Sequence, residues 1–329
     1  MIQKSDVQLR RLASLAAYAF VLTGICASLR ADMTLTAAGV AQGLTLSTFA
    51  TGFPSSSSVG PLGVAFLPTG AVLASDYPGN VRIFPNDTDG QNAAAIPVAQ
   101  NYGFSNAIDL AQVGGNIYMT RQGIGDLVQI NNNGTFNQVI ATGMPAATGM
   151  VADPLTGHLF ISTLGNNVIW NVDPVAKTKT AFVNASADGL TISADDSIVY
   201  GEVNGHILGW RAITGVQVFD SGIIPGGPDG TAIGAGLFAG ELFVNTNGGQ
   251  LIEINQATLA QTVLGTGGSR GDFVTVDTTN DTLLITQTDR ILRLTGAQFT
   301  TVPEPGYMGL LACGLAGLAV LRRRRVSRS

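Results

Sequence analysis

His158-Leu159-Phe160-Ile161-Ser162 is a short, strongly apolar stretch closed by a small polar residue, and variants of it return along the chain. They are Ala71-Val72-Leu73-Ala74-Ser75, Asn116-Ile117-Tyr118-Met119-Thr120, Ser197-Ile198-Val199-Tyr200-Gly201, Glu241-Leu242-Phe243-Val244-Asn245 and Thr282-Leu283-Leu284-Ile285-Thr286. A shorter apolar segment and a turn precede each copy. A Gly/Asn/Asp turn and a third apolar run follow it: Val81 to Phe84, Leu127 to Ile130, Val168 to Val172, His206 to Trp210, Gln250 to Ile254, and Arg290 to Leu294. The residues just before the first strands are Leu62, Asn106, Thr148, Asp188, Asp229 and Asp272, spaced by 44, 42, 40, 41 and 43.

Short strands rich in Gly turns, repeated at one interval, are the pattern of four-stranded propeller blades. The chain therefore reads as an all-β, six-bladed β-propeller over residues 40–301. A parallel β-helix needs shorter turns, an immunoglobulin-like sandwich does not repeat six times, and helix-period segments are nearly absent between the two ends. The sixth repeat lacks a good outer strand, whereas Leu44 to Gly52 stands before the first repeat without a blade of its own. That segment resembles the outer strand Thr135 to Gly143. It is expected to complete the last blade and hide an otherwise free sheet edge.

The six counted residues should form a ring around the propeller axis. Asp188, Asp229 and Asp272 follow one another on it, with Asn106 and Thr148 on the opposite arc. Carboxylates gathered in this way raise one another's pKa unless a cation or donor sits between them. Hard oxygen ligands suit Ca²⁺ or another divalent cation, and no Cys/His cluster points to zinc. A second ring of loops offers Asp76, Arg121, Thr163, Glu202, Thr246 and Gln287, with Arg270 just before Asp272. Asn106, Thr148, Glu202, Arg121 and Arg270 are the candidates for contacting a ligand. Asp-Gly before a strand is also ordinary turn chemistry, so turn-making is the competing explanation of the aspartates.

Other signals are weaker. His158 and His206 follow glycines but open different strands. Ser55 to Ser58 has no partner histidine or nucleophile elbow. Gly226-Gly227-Pro228 and Gly265 to Gly268 open no helix that could hold phosphate. Trp170 and Trp210 recur in third strands and are expected to pack between blades.

The two ends read as addresses. Lys4, Arg10 and Arg11 precede the apolar run Leu12 to Leu29, with small residues around Ala27, Ser28 and Ala31, so residues 1–31 read as a helical secretory signal peptide. At the other end Val302-Pro303-Glu304-Pro305 precedes the uncharged run 306–321, then Arg322 to Arg325 and Arg328. As a helix that run spans about 24 Å at 1.5 Å per residue, slightly short of a bilayer core of about 30 Å. The arginines favour the cytoplasmic side and leave everything before Pro303 outside. The order of Pro303, Glu304 and Pro305, apolar stretch and arginine cluster resembles the bacterial PEP-CTERM sorting signal over 302–329. The resemblance implies an exosortase-type partner that cuts near the Pro-Glu-Pro, membrane attachment through 306–321 before processing, and a destination in the cell envelope or beyond.

Without its ends the chain has no cysteine, because Cys26 and Cys313 both lie in them. Residues 32–301 hold 20 acidic and eight basic side chains, a net charge of −12. That charge opposes nucleic acid and anionic lipid.

Ala187-Asp188-Gly189-Leu190-Thr191-Ile192-Ser193-Ala194-Asp195-Asp196-Ser197-Ile198-Val199-Tyr200 and Pro228-Asp229-Gly230 resemble segments of the SMP-thirty/gluconolactonase-like propellers, which are TolB-like in fold. The resemblance implies a divalent metal at Asp188 and Asp229, with Asp in place of the family's Asn at 188. The family's third ligand is a Glu at the entrance to the first blade, where this chain reads Val59-Gly60-Pro61-Leu62-Gly63-Val64. Asp272 is the candidate for that missing role. Two function classes follow. One is an exported module binding an extracellular polysaccharide, a surface protein or a small molecule. The other is a metal-dependent lactonase-like hydrolase, which needs a metal to polarise the carbonyl and a carboxylate to handle a proton.

Overall fold

The computed structural model describes residues 32–277 and 279–296, in which nearly every element is a strand. In chain order, β1 (Thr34–Leu35), α1 (Ala37–Ala41) and β2 (Leu44–Thr51) precede the first blade. Blade one contains β3 (Pro61–Phe66), β4 (Val72–Asp76), β5 (Asn80–Phe84), the two-residue β6 (Gln91–Asn92) in a loop, and β7 (Val98–Asn101). Blade two is β8 (Leu110–Val113), β9 (Asn116–Arg121), β10 (Asp126–Ile130) and β11 (Phe136–Thr142). Blade three is β12 (Ala147–Asp153), β13 (His158–Thr163), β14 (Val168–Asp173) and β15 (Thr178–Val183). Blade four is β16 (Leu190–Ile192), β17 (Ile198–Val203), β18 (His206–Arg211) and β19 (Gln217–Asp220). Blade five is β20 (Pro228–Ile233), β21 (Glu241–Thr246), β22 (Leu251–Asn255) and β23 (Gln261–Thr266). Blade six has β24 (Gly271–Asp277), β25 (Thr282–Gln287) and β26 (Arg290–Gly296) from the C-terminal side. The four main strands of blades one to five form antiparallel meanders whose order in space is their order in the chain.

The fourth strand of blade six is β2, which runs antiparallel to β26 from Leu44↔Gly296 to Thr51↔Arg290. The strand β2, which stands ahead of the first blade, therefore closes the wheel on its last blade, as the unattached segment before the first repeat implied. Two further pairings were not legible in the pattern. β1 adds to β23 through Thr34↔Thr266, and β6 lies parallel to β2 through Ala50↔Gln91. Both cover outer edges that would otherwise be open to a strand from another chain.

The cores lie between blades. Phe49, Phe66, Phe84, Leu284 and Ile291 fill the seam where blade six meets blade one. Trp210 packs with Phe160 and Leu190 between blades three and four, and Trp170 lies against the cluster between blades two and three. Second strands serve two seams at once, so their side chains are buried on both faces, which is why these stretches read as unbroken apolar runs. Arg293, 5% exposed, locks the closing seam. It bonds Asp277 at 3.0 Å, Asp89 at 2.9 Å and the Asp87 carboxylate, with its guanidinium 5.4 Å from the Phe49 ring.

Among the described residues no helix is long and apolar enough to cross a membrane. The signal segment 1–31, the sorting motif Pro303, Glu304 and Pro305, and the apolar stretch 306–321 lie outside the described residues.

Candidate functional site

Register between first and second strands identifies the axial ring. The equivalent pairs are Val64↔Ala74, Leu110↔Met119, Met150↔Ile161, Leu190↔Gly201, Thr231↔Val244 and Val274↔Ile285. Two residues before each first member stand Leu62, Ile108, Thr148, Asp188, Asp229 and Asp272. Blade two thus contributes Ile108, not Asn106. Asn106 sits in the loop entering that blade, where its Oδ1 accepts the Ile124 N–H at 3.0 Å.

The position between ring residue and pair is glycine in four blades, for a steric reason. A Cβ on Gly149 would stand 1.9 Å from Asp188 O, one on Gly230 2.0 Å from Asp272 O, and one on Gly63 2.3 Å from Leu110 N. Neighbouring blades touch backbone to backbone there. Blade two instead has Asp109, whose carboxylate crosses the seam to accept Met150 N–H at 2.7 Å and also accepts Leu110 N–H at 2.8 Å. Burial pushes its pKa up to about 7.

Asp188, Asp229 and Asp272 do converge, as one acidic arc. Thr148 donates its hydroxyl to Asp188 Oδ1 at 3.0 Å. Arg270 Nη2 lies 3.0 Å from Asp229 Oδ2 and 2.9 Å from Asp272 Oδ1. Burial, the Asp188 charge and a hydrogen bond shared with Asp188 push the Asp229 carboxyl well up. Asp272 is pushed up by burial, opposed chiefly by Arg270. Asp272 Oδ2 and Arg270 Nε are buried without a hydrogen-bond partner. Among the described residues no group of three or more His, Cys, Asp or Glu side chains is arranged to hold a metal ion.

The second row is out of step with the sequence reading at one residue. Asp76, Arg121, Thr163, Thr246 and Gln287 are equivalent by register, but Glu202 belongs one place earlier, with Ser75, Thr120, Ser162, Asn245 and Thr286. Arg121 is turned outward, gripping Asp126 with Nε at 2.8 Å and Nη2 at 2.5 Å while its guanidinium stands 5.7 Å from the Phe136 ring. Glu202 is 5% exposed and neither carboxylate oxygen has a hydrogen-bond partner.

The opposite half of the mouth is apolar. Leu62, Ile108, Phe273 and Val59 pack together with Tyr77 against them. Phe104, 57% exposed, meets Tyr77 edge-on at 4.8 Å. Beyond the ring the first strands enclose an axial cavity of about 570 Å³, walled by residues such as Ala65, Leu110, Val151, Ile192, Ile233 and Val276. Sequence reasoning missed Asp109 and the Tyr77/Phe104 pair. Asp109 stands in the row where four blades carry glycine, and that row was the available signal.

No protein-family model matches this chain, and no curated protein matches it in sequence. Solved structures do. A family AA12 carbohydrate-active enzyme of Trichoderma reesei superposes with TM-score 0.61 at 11% identity, covering 82% of this chain and 98% of that one. A gluconolactonase from Xanthomonas campestris gives 0.59 at 15% identity, covering 80% and 95%. A chain of the nidogen/laminin complex gives 0.55 at 14% identity, covering 68% and 97%. Enzymes and binding proteins thus share this architecture, and at such identities the likeness shows the fold: a six-bladed β-propeller with gluconolactonase-like structural neighbours.

Proposed function

We propose that this propeller is an exported, envelope-associated or secreted binding module that holds a polyhydroxylated ligand, a small molecule or a stretch of polysaccharide, at its axial mouth. The observation that carries this reading is Arg270. Its guanidinium bridges Asp229 and Asp272 at 3.0 and 2.9 Å, so the acidic arc already contains a cation supplied by the chain. Two of the three carboxylates that a divalent metal would use each spend an oxygen on it. The first-blade carboxylate of the lactonase-like pattern is absent, and Leu62 stands in that part of the ring. This donor set does not fit the family's metal.

The arc suits hydroxyl recognition instead. Carboxylate oxygens accept from sugar hydroxyls, Arg270 donates to ring or hydroxyl oxygens, and Phe104 offers an exposed ring face on the far side of the mouth. Export rests on the reading of the two ends, with an exosortase-type enzyme as the processing partner. The competing reading, a divalent-metal lactonase, is favoured by the closeness of the Asp188 and Asp229 carboxyl groups, the two positions that the resemblance assigns to the metal.

One experiment separates them. Neutral oligosaccharides are titrated calorimetrically into the protein, and a panel of lactones is assayed with Ca²⁺ or Mn²⁺ added. Binding heat lost in Asp188→Ala, with no lactone turnover above the blank, supports the module. Turnover in the wild type that Asp229→Ala abolishes overturns it.

A further inference from the structure

Arg270 answers only half of the acidic arc. Asp229 stands close to both of its neighbours on the ring, Asp188 and Asp272, so two carboxyl–carboxyl contacts follow one another along it. Arg270 bridges the second contact, at 3.0 Å from Asp229 Oδ2 and 2.9 Å from Asp272 Oδ1. Among the described residues no cation bridges the first. There the Asp188 carboxylate accepts the hydroxyl of Thr148 at 3.0 Å, which is a neutral donor. Neighbouring carboxylates repel unless a proton or a cation stands between them.

The other arginines at this end of the wheel are already engaged. Arg82 is held by Asp76 at 2.5 Å, Arg121 by Asp126 at 2.5 Å and Arg290 by Asp289 at 2.9 Å.

Two buried groups point the same way. Asp272, 5% exposed, has a second oxygen, Oδ2, that is buried without a hydrogen-bond partner. Glu202, equally buried, has neither oxygen partnered and lies near enough to Asp188 and Asp109 for their charges to oppose its own. Asp109, Asp188, Glu202, Asp229 and Asp272 thus gather around a single guanidinium. Of these carboxyl groups Asp188 alone is half-buried rather than buried, so it is the one that a ligand entering the mouth meets first.

A hydroxyl would give Asp188 a hydrogen bond and leave the excess charge in place. A metal ion needs oxygens that Arg270 already holds. A primary ammonium carries a positive charge on three N–H donors and meets both demands without displacing Arg270.

We propose that the mouth selects a primary ammonium, lodged at Asp188 on the side of Asp229, and that its ligand is an amino sugar, free or within an oligosaccharide, whose nitrogen is unacetylated. The hydroxyls of the same ligand remain for Arg270, and a ring face for Phe104. This inference rests on the carbohydrate-binding reading of the mouth and names the chemistry that the mouth selects. Acetylation removes the charge and sets a carbonyl against a carboxylate, so it is the modification the site should reject.

The test is calorimetric titration of three β-linked tetrasaccharides of the same linkage into the full chain, built of glucosamine, N-acetylglucosamine and glucose, at a pH that keeps the amine charged. The glucosamine tetramer is expected to bind at least about tenfold more tightly than the other two, because a charge-assisted contact outweighs a neutral one. Asp188→Asn keeps the shape and removes the charge. It should erase that preference while leaving the affinity for the glucose tetramer within about threefold. Asp195→Asn makes the same change of net charge in the exposed turn between β16 and β17, and should preserve the preference. Equal affinities for the three sugars leave the binding module standing and overturn the ammonium. A preference that survives in Asp188→Asn, or that falls as far in Asp195→Asn, reports attraction to the net charge of the chain and equally overturns it. No binding of any of the three overturns this inference together with the reading it rests on. Should Asp188→Asn not fold, equal binding of the glucosamine and N-acetylglucosamine tetramers by the wild type refutes the proposal by itself.

Discussion

Replacing Phe49 with alanine should cost about 4 kcal/mol, because Phe49 is the residue through which the closing strand enters the seam. It is fully buried, its ring stands 5.3 Å from Phe84 at a steep angle, and the Arg293 guanidinium covers it at 5.4 Å. Truncating a buried phenylalanine typically costs about 3–5 kcal/mol, and little in this seam can collapse into the space while Arg293 is held by its three aspartates. For a domain of this size that corresponds to a fall in melting temperature of roughly 10 °C. The control is Phe136→Ala in the outer strand of blade two. Phe136 is 40% exposed, so its loss should cost below about 1 kcal/mol. Urea unfolding can be followed by the fluorescence of Trp170 and Trp210, which lie in blades three and four, far from the substitution along the wheel. A midpoint shift at unchanged slope then reports global stability. Equal losses in the two variants, or a loss below about 1.5 kcal/mol for Phe49→Ala, would refute closure by this strand as a source of stability.

Two further outcomes follow from the seams and the carboxylates. Gly149→Ala and Gly230→Ala should each destabilise by about 2 kcal/mol or more, whereas Gly189→Ala should cost clearly less, because the added carbon meets backbone at 1.9 and 2.0 Å in the first two and 3.1 Å in the third; equal melts for the three variants would show that backbone crowding at the seams does not set the cost. Stability should fall as pH rises from 5 to 8. Asp109, with its pKa pushed up to about 7 from an ordinary 3.8, holds its proton more tightly folded than unfolded, so its contribution is full below about pH 4 and is lost as pH climbs through 7, with a ceiling of about 4 kcal/mol. Asp272 and Asp229 are raised in the same direction and extend the decline. Aspartates held low, such as Asp195 at about 2, act oppositely but only in acid below this window. Melting temperatures that are flat or rising between pH 5 and 8 would contradict the buried carboxylates.

The wheel was legible because its core is built from one repeated contact. Second strands such as Leu159 to Ile161 and Leu242 to Val244 are apolar on both faces, so their period survives divergence of everything around them. Closure was legible because one apolar strand was left without a blade. The two-residue strands β1 and β6 carry no period, and only the coordinates reveal them.

Errors of register in the site arose from counting along the chain rather than across the sheet. The loop into blade two puts Asn106 where the spacing calls for a ring residue, but the ladder begins at Leu110↔Met119 and brings Ile108 to the axis. Glu202 was displaced one place for the same reason, since β17 runs on to Val203 and the pairing Glu202↔Ile207 decides its row. Pairing across blades is invisible in sequence altogether. Arg270 is adjacent to Asp272 in the chain, and nothing in the spacing says that the same guanidinium also reaches Asp229, 41 residues away in the neighbouring blade. That second bond changes the chemistry of the mouth most. Three converging aspartates ask for a metal, whereas an arginine bridging two of them, Asp229 and Asp272, partly answers their charge and orients their oxygens. Removing Arg270 would therefore separate the two demands, because an arc that recruits a divalent ion only when Arg270 is absent is one in which the side chain has taken over the ion's place.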